Sequence, residues 1–197
     1  MRYSIFVAVF AGMILALLTG VAAAQVPNGN IYFGYTYYNT DLSLNRGDLN
    51  GFQATLEGKI VPMLGFVADF TGHYGSLNFP TFCSLCTAPT TASANAHQYE
   101  AMFGPRVSFP AGKFRPFAEF EVGVGHVTTN PSGTVAAANL ILGFGSDTSY
   151  ATALGGGLDY KIFSHVAWRL EGDYVRTHFF GTAQDNYRFS TGIAVHF

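Results

Sequence analysis

From Asn186 to Phe197 the chain alternates with a period of two. Tyr187, Phe189, Thr191, Ile193, Val195 and Phe197 occupy one parity, and Asn186, Arg188, Ser190, Gly192, Ala194 and His196 the other. One face is large and apolar and the other is small or polar, the pattern of a β-strand whose two sides meet different surroundings. The same division recurs upstream. Val166, Trp168, Leu170 and Tyr174 oppose Arg169, Glu171 and Asp173, and Tyr150, Leu154, Leu158 and Tyr160 oppose Gly155, Gly157, Asp159 and Lys161. Ala118, Phe120, Val122 and Val124 oppose Arg115, Glu119 and Glu121, and Tyr99, Phe103, Val107 and Phe109 oppose Gln98, Glu100 and Arg106. Phe66, Phe70 and Tyr74 oppose Asp69, Thr71 and His73, and Phe52, Leu56 and Ile60 oppose Gln53, Thr55, Glu57 and Lys59. A first strand around Ile31–Tyr38 carries aromatics at both parities, so alternation does not orient it.

These segments make eight strands, with short connections (Val61–Leu64, Pro110–Phe114, Phe163–His165) alternating with long ones (Asn39–Leu49, Leu77–His97, Thr128–Thr148, His178–Asn186). An even number of strands with turns at one end and loops at the other predicts an all-β fold, an eight-stranded antiparallel up-and-down transmembrane barrel. Parity alone does not say which face is inside, but size does. An eight-stranded lumen holds only modest side chains, and the apolar face carries far too many Phe, Tyr, Trp, Leu, Ile and Val residues to fit. The charged face therefore points inward. Fourteen charges have that parity: Glu57, Lys59, Asp69, Glu100, Arg106, Arg115, Glu119, Glu121, Asp159, Lys161, Arg169, Glu171, Asp173 and Arg188. Asp41, Arg46, Asp48, Lys113, Asp147 and Asp185 fall in loops or turns, and Arg176 alone has outward parity, at the loop end of its strand. A charge there costs about 0–1 kcal/mol, against about 2–4 kcal/mol at the bilayer midplane. Aromatics mark both interfaces, with Phe66, Phe109, Tyr160, Trp168 and Phe197 at the turn end and Phe52, Tyr74, Tyr99, Tyr150, Tyr174 and Tyr187 at the loop end. Pro105 lies inside a strand without a free edge, so a bulge or a broken ladder is expected there.

Composition agrees. Charged residues make up 11% of the chain and aromatics 16%, where a soluble domain carries about 25% charged. Disorder is excluded by the aromatics, and a net charge of −2 offers no basic footprint for nucleic acid. Residues 1–24 read as a cleavable signal peptide, with Arg2, an apolar run Ile5–Leu18 and Ala22-Ala23-Ala24 before the cut. Residues 25–197 are then one exported barrel domain. Cys83 and Cys86, in the second long loop, are expected to form a local disulfide in that oxidising space.

Several segments together resemble the eight-stranded outer-membrane barrels that include OmpA-type transmembrane domains, OmpX and the opacity proteins. They are Leu-Asn-Gly-Phe at 49–52, Gly-Pro-Arg at 104–106, Arg-Pro-Phe at 115–117, Gly-Gly-Gly-Leu-Asp-Tyr at 155–160, Arg-Leu-Glu-Gly-Asp-Tyr at 169–174 and Ser-Thr-Gly-Ile-Ala-Val-His-Phe at 190–197. The resemblance implies location in the outer membrane, contact with its lipid and lipopolysaccharide, and a signal at Phe197 for the barrel-assembly machinery.

The inward charges are expected to form a closed core of ion pairs and bound water, because desolvated charges must be paired. Glu119, Glu121, Arg169, Glu171 and Arg188 are expected at its centre, with eight acids against six bases nearly balanced. His126 and Thr128 share a face at the loop-end rim. Some lipid A hydrolases place a His–Ser pair on such a rim, but here Thr replaces Ser and no acid shares the parity, so a polar interfacial histidine is expected. The other histidines (73, 97, 165, 178 and 196) lack metal-ligand spacing, and no cofactor or metal is expected. Leu140-Ile141-Leu142 is unusually apolar for a loop tip, fitting either a strand extension or a contact surface. The function expected is non-enzymatic: envelope structure, or recognition of an extracellular ligand by the loops. The alternative is a narrow pore for ions or small polar solutes.

Overall fold

The computed structural model describes residues 28–42, 46–81, 90–132 and 145–197. Residues 1–24, Cys83, Cys86 and Leu140-Ile141-Leu142 lie outside them. The described chain forms eight strands: β1 (Gly29–Thr40), β2 (Gly47–Val61), β3 (Leu64–Thr81), β4 (Thr90–Ser108), β5 (Phe114–Ser132), β6 (Gly145–Lys161), β7 (Val166–Thr177) and β8 (Gln184–His196). Each pairs antiparallel with its sequence neighbour, and β1 pairs with β8 to close the barrel. Closure removes every sheet edge. Backbone bonds between Gly29 and Phe197, 3.0 Å in each direction, extend the last seam by one residue.

The two faces fall as the alternation requires. Phe33, Phe66, Phe103, Leu154, Trp168 and Phe189 stand exposed on the outer wall, while Glu57, Glu100, Arg106, Arg169 and Arg188 are buried inside. The barrel also orients β1, which alternation left open. Ile31, Phe33 and Tyr35 face out, and Tyr32, Thr36 and Tyr38 are wholly buried. Pairing decides this. Asn30 faces Glu57 on β2 and His196 on β8, both of inward parity, so even-numbered residues of β1 must point inward too.

The strands are longer than the alternation alone indicated. β3 and β4 continue to Thr81 and Thr90 through much of the segment read as the second loop, and β5 runs on to Ser132. Ala92, Ala94 and Ala96 on one parity and Ser93 and Asn95 on the other give little contrast of size or polarity, so no period-two signal is visible there. Asp48, Asp147 and Asp185, expected in loops, accordingly sit in strand ends.

At Pro105 the ladder breaks without a bulge. Phe103 faces Val122 and Arg106 faces Glu119 in one constant register, and the β4–β5 pairing skips Gly104 and Pro105. A Cβ on Gly104 would lie 1.9 Å from the Phe120 carbonyl oxygen, so β5 leans into the space that glycine leaves. The register shift that does occur lies between Lys59 and Val61, beside the β2–β3 turn.

Candidate functional site: the barrel interior

The lumen is built in two layers. Toward the loop end, Tyr38, Leu49, Leu77, Ala94, Ala96, Met102, Ala151, Ala153 and Val175 make a buried apolar cluster. Phe179 joins the interior from the β7–β8 connection, where a 3-10 turn spans Phe179–Gly181. Its ring is fully buried, and a Cβ on Gly125 would lie 2.9 Å from its Cζ. The turn is pinned on both sides: the Phe179 N–H donates to Gln184 Oε1 at 2.8 Å, and Gln184 Nε2 donates back to the Phe179 carbonyl at 3.0 Å. Phe180 takes the left-handed conformation (φ 53°), and its N–H donates to Asp147. Neither Phe179 nor the cap was legible from alternation, because a loop side chain folding back carries no period.

The charged layer lies toward the turn end and is organised by three buried arginines. Arg188 Nη1 meets Asp69 at 2.7 Å and Arg188 Nε meets Asp173 at 2.8 Å, with Glu121 at 3.7 Å and Glu100 at 3.9 Å. Arg106 meets Glu119 at 2.5 Å, with Glu57 and Glu171 each at 3.4 Å. Arg169 holds Asp159 through two bonds, 2.6 and 2.9 Å, a bidentate pair. Of the residues expected at the centre, Glu121 meets Arg188, Glu119 and Glu171 meet Arg106, and Arg169 pairs apart from them with Asp159. Arg106, which sequence placed inside but not at the centre, is a second hub.

Phe117 explains how Arg106 and Arg169 are held. It points inward and is buried, and the two guanidinium carbons lie 4.3 and 4.8 Å from its ring centroid. Stacking against a ring face stabilises both cations. Neutral donors finish the layer: Gln53 Nε2 donates to Glu171 at 2.6 Å and Asp69 at 3.0 Å, Tyr38 OH to Glu100 at 2.8 Å, and Thr55 Oγ1 to Asp69 at 2.9 Å.

The remaining bases lie at the edge of this core or outside it. Lys59 pairs with Glu57 and donates to Ser108 at 2.5 Å, near the turn-end mouth. Arg115 and Lys161 sit at that mouth, Arg115 beside His196 Nδ1 at 3.3 Å and Lys161 exposed. Lys59, Arg115, His196, Pro62, Pro110 and Phe197 line a recess of about 400 Å³ there. The bases expected to balance the acids are therefore divided between core and mouth, and the core keeps an excess of carboxylates.

On the outside, the loop end carries a polar rim. Asp48 accepts from Tyr37 at 2.6 Å and from Asn39 at 2.7 Å. Arg176 is exposed and pairs with Asp185 at 3.6 Å, and Asp185 and Asp48 share the outward face at their strand ends. Among the described residues the partners of His126 are hydroxyls: Thr148 at 2.7 Å on Nδ1, with Ser146 at 3.1 Å and Thr128 at 3.4 Å on Nε2. A satisfied polar histidine is what that arrangement makes. Tyr74 and Tyr99 share a hydroxyl bond of 2.9 Å within the loop-end aromatic belt.

No family model matches the chain, and no curated protein sequence matches it significantly. Solved structures do. Neisserial surface protein A aligns with a TM-score of 0.60 at 13% identity, over 86% of this chain and 97% of its own. Ail, the attachment invasion locus protein of Yersinia pestis, solved in complex with the heparin analogue sucrose octasulfate, aligns with a TM-score of 0.57 at 13% identity, over 87% and 99%. The outer membrane protein OprG from Pseudomonas aeruginosa aligns with a TM-score of 0.56 at 12% identity, over 89% and 98%. With its eight antiparallel strands closed in sequence order, the chain has the fold of the small outer-membrane β-barrels.

Proposed function

We propose that this protein is an integral outer-membrane barrel without enzymatic activity, whose closed lumen serves as a rigid core while its loops meet the exterior. The observation that carries the reading is the inversion of the usual burial pattern. Arginines and carboxylates fill the interior, and a continuous wall of Phe, Tyr, Trp, Leu, Ile and Val faces outward. In water such a wall would drive association. In lipid it is the favourable surface, and a closed barrel also satisfies its backbone internally.

The aromatic belts orient the molecule. Phe66, Phe109, Trp168 and Phe197 mark the end with short turns, read as periplasmic, and Tyr74, Tyr150, Tyr174 and Tyr187 mark the loop end, read as extracellular. Lipid and lipopolysaccharide are then its immediate surroundings, reached after export by a signal peptide at 1–24 and insertion by the assembly machinery reading Phe197. Two neighbours of the same fold are Neisserial surface protein A and the attachment invasion locus protein Ail, which supports a role for the loops in surface contact. A disulfide between Cys83 and Cys86 would tie down the tip of the second loop.

Fractionation with a heat-modifiability gel tests the assignment. The protein is expected in the outer-membrane fraction, with a folded band that shifts in mobility on boiling. A periplasmic protein of unchanged mobility would overturn it.

A further inference from the structure

Two buried guanidiniums serve seven carboxylates. Arg106 is shared by Glu57, Glu119 and Glu171, and Arg188 by Asp69, Glu100, Glu121 and Asp173. Lys59 adds one cation at Glu57, and the third arginine is taken by Asp159. Uncompensated buried charge is among the costliest things a fold can hold, so this layer calls for further positive charge.

The register shows where it would go. One inward row crosses five strands as Arg106, Glu119, Gly155, Asp173 and Arg188. Gly155 separates the two acids, and a Cβ there would lie 1.8 Å from Asp173 Oδ1. The glycine therefore lets the Asp173 carboxylate lean across the empty position toward Glu119. Glu171 comes from the adjacent row. Ligand oxygens of Glu119, Glu171 and Asp173 all lie within 4.8 Å of one another, and all three residues are buried. Asp173 Oδ1 and Glu119 Oε1 have no hydrogen-bond partner among the described residues.

A separate observation comes from β8. Ser190 lies directly opposite Glu171 on the inward face, is 5% exposed, and its hydroxyl has no hydrogen-bond partner among the described residues. Side chains paired in this way sit with Cβ atoms about 4.5–5.5 Å apart. An unsatisfied buried hydroxyl opposite Glu171 offers a fourth oxygen from β8.

We propose that Glu119, Glu171 and Asp173, with Ser190, bind one divalent cation of the calcium class inside the lumen. The donors are all hard oxygens, and Ca²⁺ takes such ligands at about 2.3–2.6 Å, so oxygens on opposite sides of the ion lie up to about 5 Å apart. The 4.8 Å envelope accommodates that span. The cation would neutralise the acids that the arginines leave over, and tie β5, β7 and β8 together. This inference rests on the closed-lumen reading and deepens it, yet the two fail separately, because conductance tests the seal and calcium uptake tests the site.

The experiment is equilibrium dialysis of the detergent-solubilised, chelator-treated protein against radioactive Ca²⁺, with thermal melts in parallel. The folded wild type should take up one ion per chain and melt higher with Ca²⁺ than with chelator. A Glu171→Gln, Asp173→Asn double variant should lose uptake, and Asp185→Asn on the outer rim should keep it. The heat-modifiable band reports whether each variant is folded. If the double variant is not, Glu119→Gln alone should bind at least tenfold more weakly. Absence of saturable uptake by folded wild type would overturn the proposal, as would uptake that these inward substitutions leave unchanged.

Discussion

Two arginines of opposite parity show how position decides what a charge is worth. Arg188 is completely buried and meets four carboxylates, whereas Arg176 is 56% exposed and meets one at 3.6 Å. Removing one side of a buried charge cluster leaves the other side desolvated and unpaired, at a cost of about 3–5 kcal/mol. Exposed pairs contribute about 0–1 kcal/mol. Arg188→Met is therefore expected to lower unfolding stability in denaturant titrations by several kcal/mol, while Arg176→Ala stays close to wild type. Equal effects would contradict the inward assignment. The inward face of Arg106, Arg169 and Arg188 was legible in sequence, because a period of two fixes the face. Which acid each arginine meets was not, since Asp69 and Arg188 are brought to 2.7 Å across 119 residues of chain by closure alone.

At the scale of the strand, Gly104-Pro105 in β4 is a coupled pair. Proline cannot donate to the ladder, and the β4–β5 pairing skips both residues while the register on either side stays constant. The glycine is the sterically demanding member, because its missing Cβ is where the Phe120 carbonyl lies, at 1.9 Å. Gly104→Ala should thus destabilise the barrel by about 1–3 kcal/mol, the cost of overpacking, and Pro105→Ala by less. Denaturant midpoints of the two variants check this, and the reverse order would count against the close approach. Proline interrupting a strand was visible in sequence, but the choice between a bulge and a gap depended on the neighbouring strand. The outer extension of β4 was missed for a related reason: alanine, serine and asparagine carry too little contrast for alternation to register. In β3 the contrast reverses, because Leu77 shares the inward parity of Asp69 and His73 and is buried, and only pairing with β4 reveals the segment as strand.

For the whole molecule, the question is whether eight strands enclose a path or a plug. The apolar cluster around Tyr38, Leu49 and Leu77 lies above a charged layer whose arginines are wholly buried, and Phe179 folds in from the loop end. Planar bilayers containing the purified protein should accordingly show no steady single-channel conductance. Sustained ohmic openings would favour the narrow-pore reading over the closed lumen. Sequence by itself determined the strand number, the faces and the inside-out charge distribution, because alternation and the small capacity of an eight-stranded lumen leave one consistent arrangement. Only the tertiary structure decided the orientation of β1, the inward turn of Phe179, the separation of Arg115 and Lys161 from the core, and the meeting of Glu119 with Asp173 across Gly155. Those depend on which residues stand opposite one another around a closed sheet, and a period of two says which face a side chain is on but nothing of its neighbour.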